Sequence, residues 1–298
     1  MRVYQAAPGF LAELLAELPP GAEVREPLVL VREDAPETLP AWAVNVWLEP
    51  AFIPIASIGD AAKKLKVLQR NWALCPTLHH RRAALIAEKL PKVSARPLTF
   101  GQPAPASPLG SWTLWDERTL LASPRCTSPF ANGDIQFVED REGPPSRAYL
   151  KLWEVFTRLG VRPAPGELCL DLGASPGGWT FVLANLGARV FAVDKAPLDP
   201  RLERLPNVET CIGSAFGLDP RHAGAVDWLF SDVICYPERL LGYVTRWLEL
   251  GSCRNFVCTV KLQGPGIPEA LAGFRAIPGS SLTHLCHNKH ELTWVRLG

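Results

Sequence analysis

At 298 residues, 47% hydrophobic and 20% charged, the chain is long enough for two folded domains, and its composition excludes disordered, coiled-coil and collagen-like classes. Its net charge of +1 conceals an uneven distribution: residues 1–62 hold three Arg/Lys against nine acids, whereas residues 63–96 hold nine against Glu88 alone. No apolar run reaches the roughly 18–20 residues of a membrane span, and the opening segment lacks the apolar stretch and cleavage site of a secretory leader, so a soluble chain is expected.

In chain order, the pattern predicts a strand at Arg2–Ala6, a helix over Gly9–Leu18, strands near Glu23–Val31 and Ala43–Leu48, and two basic helices, KKLKVLQRNW and HHRRAALIAEKL. Lys63, Lys64, Lys66, Arg70, Arg81 and Arg82 could neutralise phosphates of a nucleic acid, with Trp72 available to stack on a base; the plainer reading is two solvated helix faces. Arg96–Ser111 is rich in Pro, Gly and Ser and reads as an extended connector. The expected division is an N-terminal α+β domain over 1–98, a linker and β excursion over 99–125, and an α/β domain over 126–298.

Ser146, after Pro145, is the expected N-cap of a helix through RAYLKLWEVF that Gly160 closes. Beyond it, the strands LCLDLG, VFAVD, Val208–Ile212, VDWLFSD and FVCTVKL alternate with helices over Gly177–Leu186 and Pro237–Leu250, the pattern of a parallel sheet covered on both faces. Strands near Leu282–Cys286 and Leu292–Leu297 are joined by a link too short for a crossover, so the last strand must run antiparallel. The predicted fold is a Rossmann-like, mostly parallel α/β sheet with an antiparallel last strand, preceded by a smaller α+β domain. The eight scattered cysteines form no C-x-x-C pair and no zinc-spaced Cys/His cluster, which points to a reducing cytoplasm.

The segment Asp171–Thr180, DLGASPGGWT, joins a strand to a helix, the setting of a nucleotide-binding turn. A dinucleotide fingerprint starting at Gly173 needs a second glycine where Ser175 stands, and no G-K-[ST] follows, so NAD, FAD and a Walker loop are disfavoured. Asp194 closes the next strand, where a carboxylate can accept hydrogen bonds from ribose hydroxyls. S-adenosylmethionine (SAM), an adenosine with a cationic sulfonium and no phosphate, fits these observations; a tight turn without ligand is the alternative. The expected cofactor contacts are Asp171, Gly173, Ser175, Pro176, Gly177, Gly178, Trp179 and Asp194.

DLGASPGGWT, with PSRAYLKL upstream and SCRNFVCTVKL downstream, resembles the FtsJ-like RNA ribose 2′-O-methyltransferases and, within them, the RlmM family, which modifies a cytidine of 23S ribosomal RNA. The similarity covers Thr127–Gly298 and extends to the opening Y-x-A-A-P-G-F-L-x-E-L-L-A-E-L. That family carries a ferredoxin-like module and an RNA-binding THUMP domain before its catalytic domain. The resemblance therefore implies a ferredoxin-like, RNA-recruiting N-terminal module here, with the THUMP part shortened or absent.

It also implies a Lys–Asp–Lys–Glu tetrad at Lys151, Asp232, Lys261 and Glu291. Lys261 would be the base, Lys151 the cation depressing its pKa, Asp232 the anchor orienting it, and Glu291 the group positioning Lys151 or the ribose. The strand pattern agrees, since Asp232 and Lys261 close parallel strands while Glu291 opens an antiparallel one, so all three share a sheet edge. Ser214 stands where relatives tend to carry an aspartate near the adenine, and is the expected, weaker contact there. Ala148 replaces a frequent hydroxyl residue, and Ser175 replaces a cysteine. The implied activity is SAM-dependent 2′-O-methylation of ribosomal RNA in the cytoplasm, with no metal and no membrane. A non-catalytic RNA-binding or ribosome-assembly protein that keeps the fold is the alternative, and SAM binding separates the two.

Overall fold

Buried apolar residues gather in two units, Met1–Val138 and Glu139–Gly298, in the computed structural model, which describes residues 1–93, 96–264 and 266–298. In the first, β1 (Arg2–Ala6) leads through α1 (Leu11–Glu17) to β2 (Glu23–Arg25) and β3 (Leu28–Val31), and β4 (Ala43–Trp47) completes an antiparallel sheet of order β2-β3-β1-β4. The single strand expected over Glu23–Val31 is a hairpin with Arg25 opposite Leu28. Pro27, without an N–H for a continuous ladder, sits in its turn. No helix forms between β3 and β4 among the described residues, so the expected ferredoxin-like unit lacks its second helix.

A second sheet follows, built from β5 (Ala51–Pro54), α2 (Ile58–Leu68), β6 (Trp72–Leu74), α3 (His80–Ala87), β7 (Gly110–Asp116) and β8 (Thr119–Ser123), in the order β5-β8-β7-β6. Residues 110–123, expected within a linker, supply the two central strands, because their buried Trp112, Leu114 and Leu120 pack with Leu65 of α2 and Ile86 of α3. The structural boundary therefore falls after Val138, whereas the sequence pattern divides the chain into 1–98, 99–125 and 126–298. Trp72 is no surface platform. It opens β6, is 5% exposed, and donates from Nε1 to the carbonyls of Leu65 and Gln69 at 3.0 Å, satisfying acceptors at the end of α2.

The second unit runs α4 (Tyr149–Leu159), β9 (Leu168–Leu172), α5 (Gly178–Asn185), β10 (Arg189–Asp194), α6 (Pro200–Glu203), β11 (Val208–Ile212), α7 (Pro220–Ala223), β12 (Val226–Ser231), α8 (Pro237–Glu249), β13 (Cys253–Lys261), α9 (Ile267–Ala276), β14 (Ser280–Thr283) and β15 (Glu291–Arg296). The sheet order is β11-β10-β9-β12-β13-β15-β14; β9 to β13 are parallel, and β15 is antiparallel to both neighbours. This is the Rossmann-like α/β sheet with an antiparallel last strand that the pattern predicts. Ser146 does not cap α4: the helix starts at Tyr149 behind Ala148, after a turn in which Leu150 N donates to Arg147 O at 3.2 Å. No helix among the described residues is long and apolar enough to cross a membrane.

Candidate active site

The chain order of the strands reverses direction across the sheet between β9 and β12, and open α/β sheets hold ligands beyond the carboxyl ends of their strands at such a point. The glycine turn leaves β9 here. Gly173 at φ +79° and Gly177 at φ +116° occupy the left-handed region, which side chains other than glycine adopt at a cost. Close approach adds a second constraint: a Cβ on Gly173 would lie 2.7 Å from Cγ2 of Val233, and one on Gly178 would lie 2.5 Å from Oγ of Ser146. The turn is thus pressed between the segment after β12 and the segment before α4.

Asp194, at the end of β10, latches the turn by accepting from Ser175 N at 3.0 Å with Oδ2, while Oδ1 accepts from Ala196 N at 3.0 Å. Ser175 Oγ donates to Pro197 O at 2.8 Å, and Pro176 O accepts from Asp199 N at 3.0 Å. Ser214 lies exposed just beyond β11, beside Gly213, whose N–H donates to Asp194 O at 2.8 Å. Two of the expected cofactor contacts face the interior instead. Asp171 is 1% exposed; burial pushes its carboxyl up to about 7, against the Thr180 hydroxyl that donates to it at 2.6 Å. Trp179 is 3% exposed, and its Nε1 donates to Ala148 O at 3.0 Å. Both hold the turn rather than line it.

Lys151, Asp232, Lys261 and Glu291 converge from α4, β12, β13 and β15. Lys261 and Glu291 are directly paired residues of the β13–β15 ladder. Lys261 Nζ lies 2.8 Å from Asp232 Oδ1 and 2.5 Å from Glu291 Oε2; Lys151 Nζ lies 3.0 Å from Asp232 Oδ2 and 2.6 Å from Glu291 Oε1. Two ammonium and two carboxylate groups therefore alternate in a closed ring, with side chains 7–18% exposed. Burial alone pulls the Lys261 pKa down, but the charges and hydrogen bonds of Asp232 and Glu291 outweigh it and hold the ammonium above the ordinary lysine range. The expected depression by Lys151 is not the state of this ring, because the Lys151 ammonium is itself engaged by both carboxylates. Burial raises the Asp232 and Glu291 carboxyls, and the two lysines overcome it and hold both below the usual carboxylate range.

Two features here carry no motif signal. Ser146 Oγ is buried without a hydrogen-bond partner against Gly178. Glu154, one turn after Lys151 on α4 and 0% exposed, accepts from Arg158 Nε at 2.8 Å, from the backbone N–H groups of Cys286 and His287 at 3.0 and 3.3 Å, and lies 2.9 Å from His287 Nδ1. It ties α4 to the segment that leads into Glu291; only the i, i+3 spacing from Lys151 hints at it in the sequence.

In the first unit, Lys63 and Lys66 of α2 line a shallow groove with Gly59, Ala62, Val67 and Lys89, the last from the same basic stretch of residues 63–96. Lys64 is instead paired with Asp60 at 3.0 Å and donates to Pro54 O at 2.6 Å. Arg70, Arg81 and Arg82 lie outside that groove.

Residues 144–240 match the FtsJ-like methyltransferase family. Over 157 residues the chain is 43% identical to the ribosomal RNA large subunit methyltransferase M of Halorhodospira halophila, covering 50% of this chain and 46% of that protein. The proteins of the same name from Aromatoleum aromaticum and Azotobacter vinelandii are 34% identical over 164 residues and 36% over 148, covering 50% and 48% of this chain and 44% and 41% of theirs. The chain thus spans less than half the length of these relatives. The glycine turn and the ring of Lys151, Asp232, Lys261 and Glu291 thus share one sheet rim in a unit whose residues 144–240 match the FtsJ-like methyltransferase family and whose chain is similar to large-subunit ribosomal RNA methyltransferases M.

Proposed function

We propose that the chain transfers the methyl group of SAM to a ribose 2′-hydroxyl of large-subunit ribosomal RNA, at a cytidine. The observation that carries this reading is the closed Lys151–Asp232–Lys261–Glu291 ring beside the glycine turn. SAM supplies an already activated electrophile, a methyl on a sulfonium. The turn fits such a group: Ser146 Oγ is a buried hydroxyl without a partner, and the first N–H groups of α5 have no intrahelical acceptor. Gly173, Gly177 and Gly178 would face it with backbone, Asp194 would reach the ribose and Ser214 the adenine side.

Lys261 is assigned as the group that takes the proton of the 2′-hydroxyl. As the ring stands its ammonium is full, so Lys261 must release one proton to solvent as RNA enters before its amine can accept the proton of the hydroxyl. A ribose hydroxyl between Lys261 and one carboxylate weakens the attraction that raises its pKa, while the closing surface adds to the desolvation that lowers it. Asp232 then orients the amine, and Lys151 keeps the carboxylates charged and in place. Such a base contributes about 10²–10⁴-fold, and alignment of the hydroxyl can lower the barrier by as much as ~7–11 kcal/mol. We assign the Lys63, Lys66 and Lys89 groove to RNA phosphates, and the eight free thiols accord with a cytoplasmic setting.

The test is incubation of the purified chain with SAM carrying a labelled methyl and unmethylated large-subunit ribosomal RNA, followed by mapping of the label. Label at a single ribose 2′-oxygen of a cytidine is the expected result. Label on a base overturns the reaction type, and absence of both SAM binding and label favours the non-catalytic RNA-binding alternative.

A further inference from the structure

The segment between Asp232 and α8 carries two large apolar side chains in the open: Ile234 is 79% exposed and Tyr236 is 55% exposed. Exposed apolar residues are common singly, and these two would need no account elsewhere on the surface. Their position distinguishes them. Tyr236 stands four residues after Asp232, and its ring rests on Gly264, three residues after Lys261: a Cβ at Gly264 would lie 2.5 Å from Cδ1, 2.6 Å from Cε1 and 3.6 Å from Cγ of that ring. The contact runs along the Cδ1–Cε1 edge, and Gly264 takes φ +83°, so the close approach and the backbone both require glycine there. The loop that begins with Asp232 after β12 and the loop that leaves β13 after Lys261 thus meet through this ring.

We propose that Tyr236 is a stacking platform for a nucleobase of the RNA strand whose ribose is presented to Lys261, with Ile234 as its apolar flank. This inference rests on the reading of the second unit as an RNA ribose methyltransferase domain. A ribose hydroxyl can reach the amine only if its nucleotide is turned out of a stacked helix, and single-stranded bases are held chiefly by aromatic faces. A ring fixed along one edge loses little freedom on accepting a base, which suits it to the task. Stacking tolerates any base, so the platform would position the strand, and discrimination of the cytidine would fall to other groups.

The experiment compares the parent with Tyr236→Ala, Tyr236→Phe and Tyr236→Trp. It reads the Kd of fluorescent oligocytidylate by anisotropy, the Kd of SAM by calorimetry, and steady-state methyl transfer to unmethylated large-subunit ribosomal RNA. Tyr236→Ala is expected to weaken oligocytidylate binding and raise the RNA KM by about 5- to 100-fold, the loss falling on KM rather than kcat, with the Phe and Trp variants near the parent and SAM affinity unchanged. Unchanged oligocytidylate Kd and RNA KM in Tyr236→Ala overturn the platform, as does a Phe variant as impaired as the Ala variant. A loss of SAM binding in Tyr236→Ala assigns the residue to the fold of the rim and overturns it too. Should the parent methylate no RNA, the functional reading falls, while the oligocytidylate Kd still decides whether the ring stacks.

Discussion

Lys261 and Glu291 face each other across the antiparallel β13–β15 pair, with Nζ 2.5 Å from Oε2. Because β15 runs opposite to β13, its first residue meets the last residue of β13, and the final strand delivers its carboxylate to the rim where the parallel strands end. This one reversal makes a four-membered ring of charges possible.

Glu291 is one of two carboxylates holding the Lys261 pKa up, so Glu291→Gln should let burial pull it down. If the neutral amine is the working form, activity rises with pH through the Lys261 pKa, and the acidic limb of the kcat–pH profile should move to lower pH in this variant. A profile unmoved, or moved upward, would contradict the assignment.

Asp171 has its pKa raised by burial from 3.8 to about 7, so between these values the native state holds a proton that the unfolded chain releases. Stability should therefore fall as pH rises through that window. Asp171→Asn keeps an acceptor for Thr180 and removes the titration, so its unfolding free energy should vary less across the window and, above it, exceed the parent's by up to about 4 kcal/mol.

Glu154→Ala would remove the fully buried carboxylate that pairs with the Arg158 guanidinium at 2.8 Å. Breaking such a pair costs about 3–5 kcal/mol. Denaturant unfolding should show that loss, with less in Glu154→Gln, whose one amide oxygen still accepts from one of the two N–H groups, Cys286 N or His287 N, that the two carboxylate oxygens take separately.

Replacing Lys63, Lys66 and Lys89 together by Glu should weaken RNA binding while leaving SAM affinity unchanged. The slope of log affinity against log salt should fall by about 0.7–0.9 for each phosphate that is no longer neutralised. Full retention of affinity and slope would remove the groove from the RNA path.

Much of the second unit was legible because its signals are local. Apolar strands of four to nine residues, the glycine turn and the short link before Glu291 fix a mostly parallel sheet with a reversed last strand, and strand-end residues then locate the rim. Long-range pairing was not legible. The β6 strand is three residues long and joins β7 across thirty-five intervening residues, so nothing near Trp72 announces that it leaves α2 to become a strand. Ser146 reads as a cap because a serine after proline is a usual helix opening, whereas α4 starts only at Tyr149 and the Ser146 hydroxyl is buried against Gly178 without a hydrogen-bond partner. The tetrad comes from the family resemblance, with strand ends in agreement, and neither gives the sign of the Lys261 shift, which depends on two carboxylates closing within 2.8 Å of one amine.

The measurement closest to the central claim is SAM affinity and single-turnover methyl transfer in Lys261→Ala beside the parent. The account predicts a Kd for SAM within a few-fold of the parent and transfer slowed by about 10²–10⁴-fold or more. Equal transfer rates in variant and parent would contradict it.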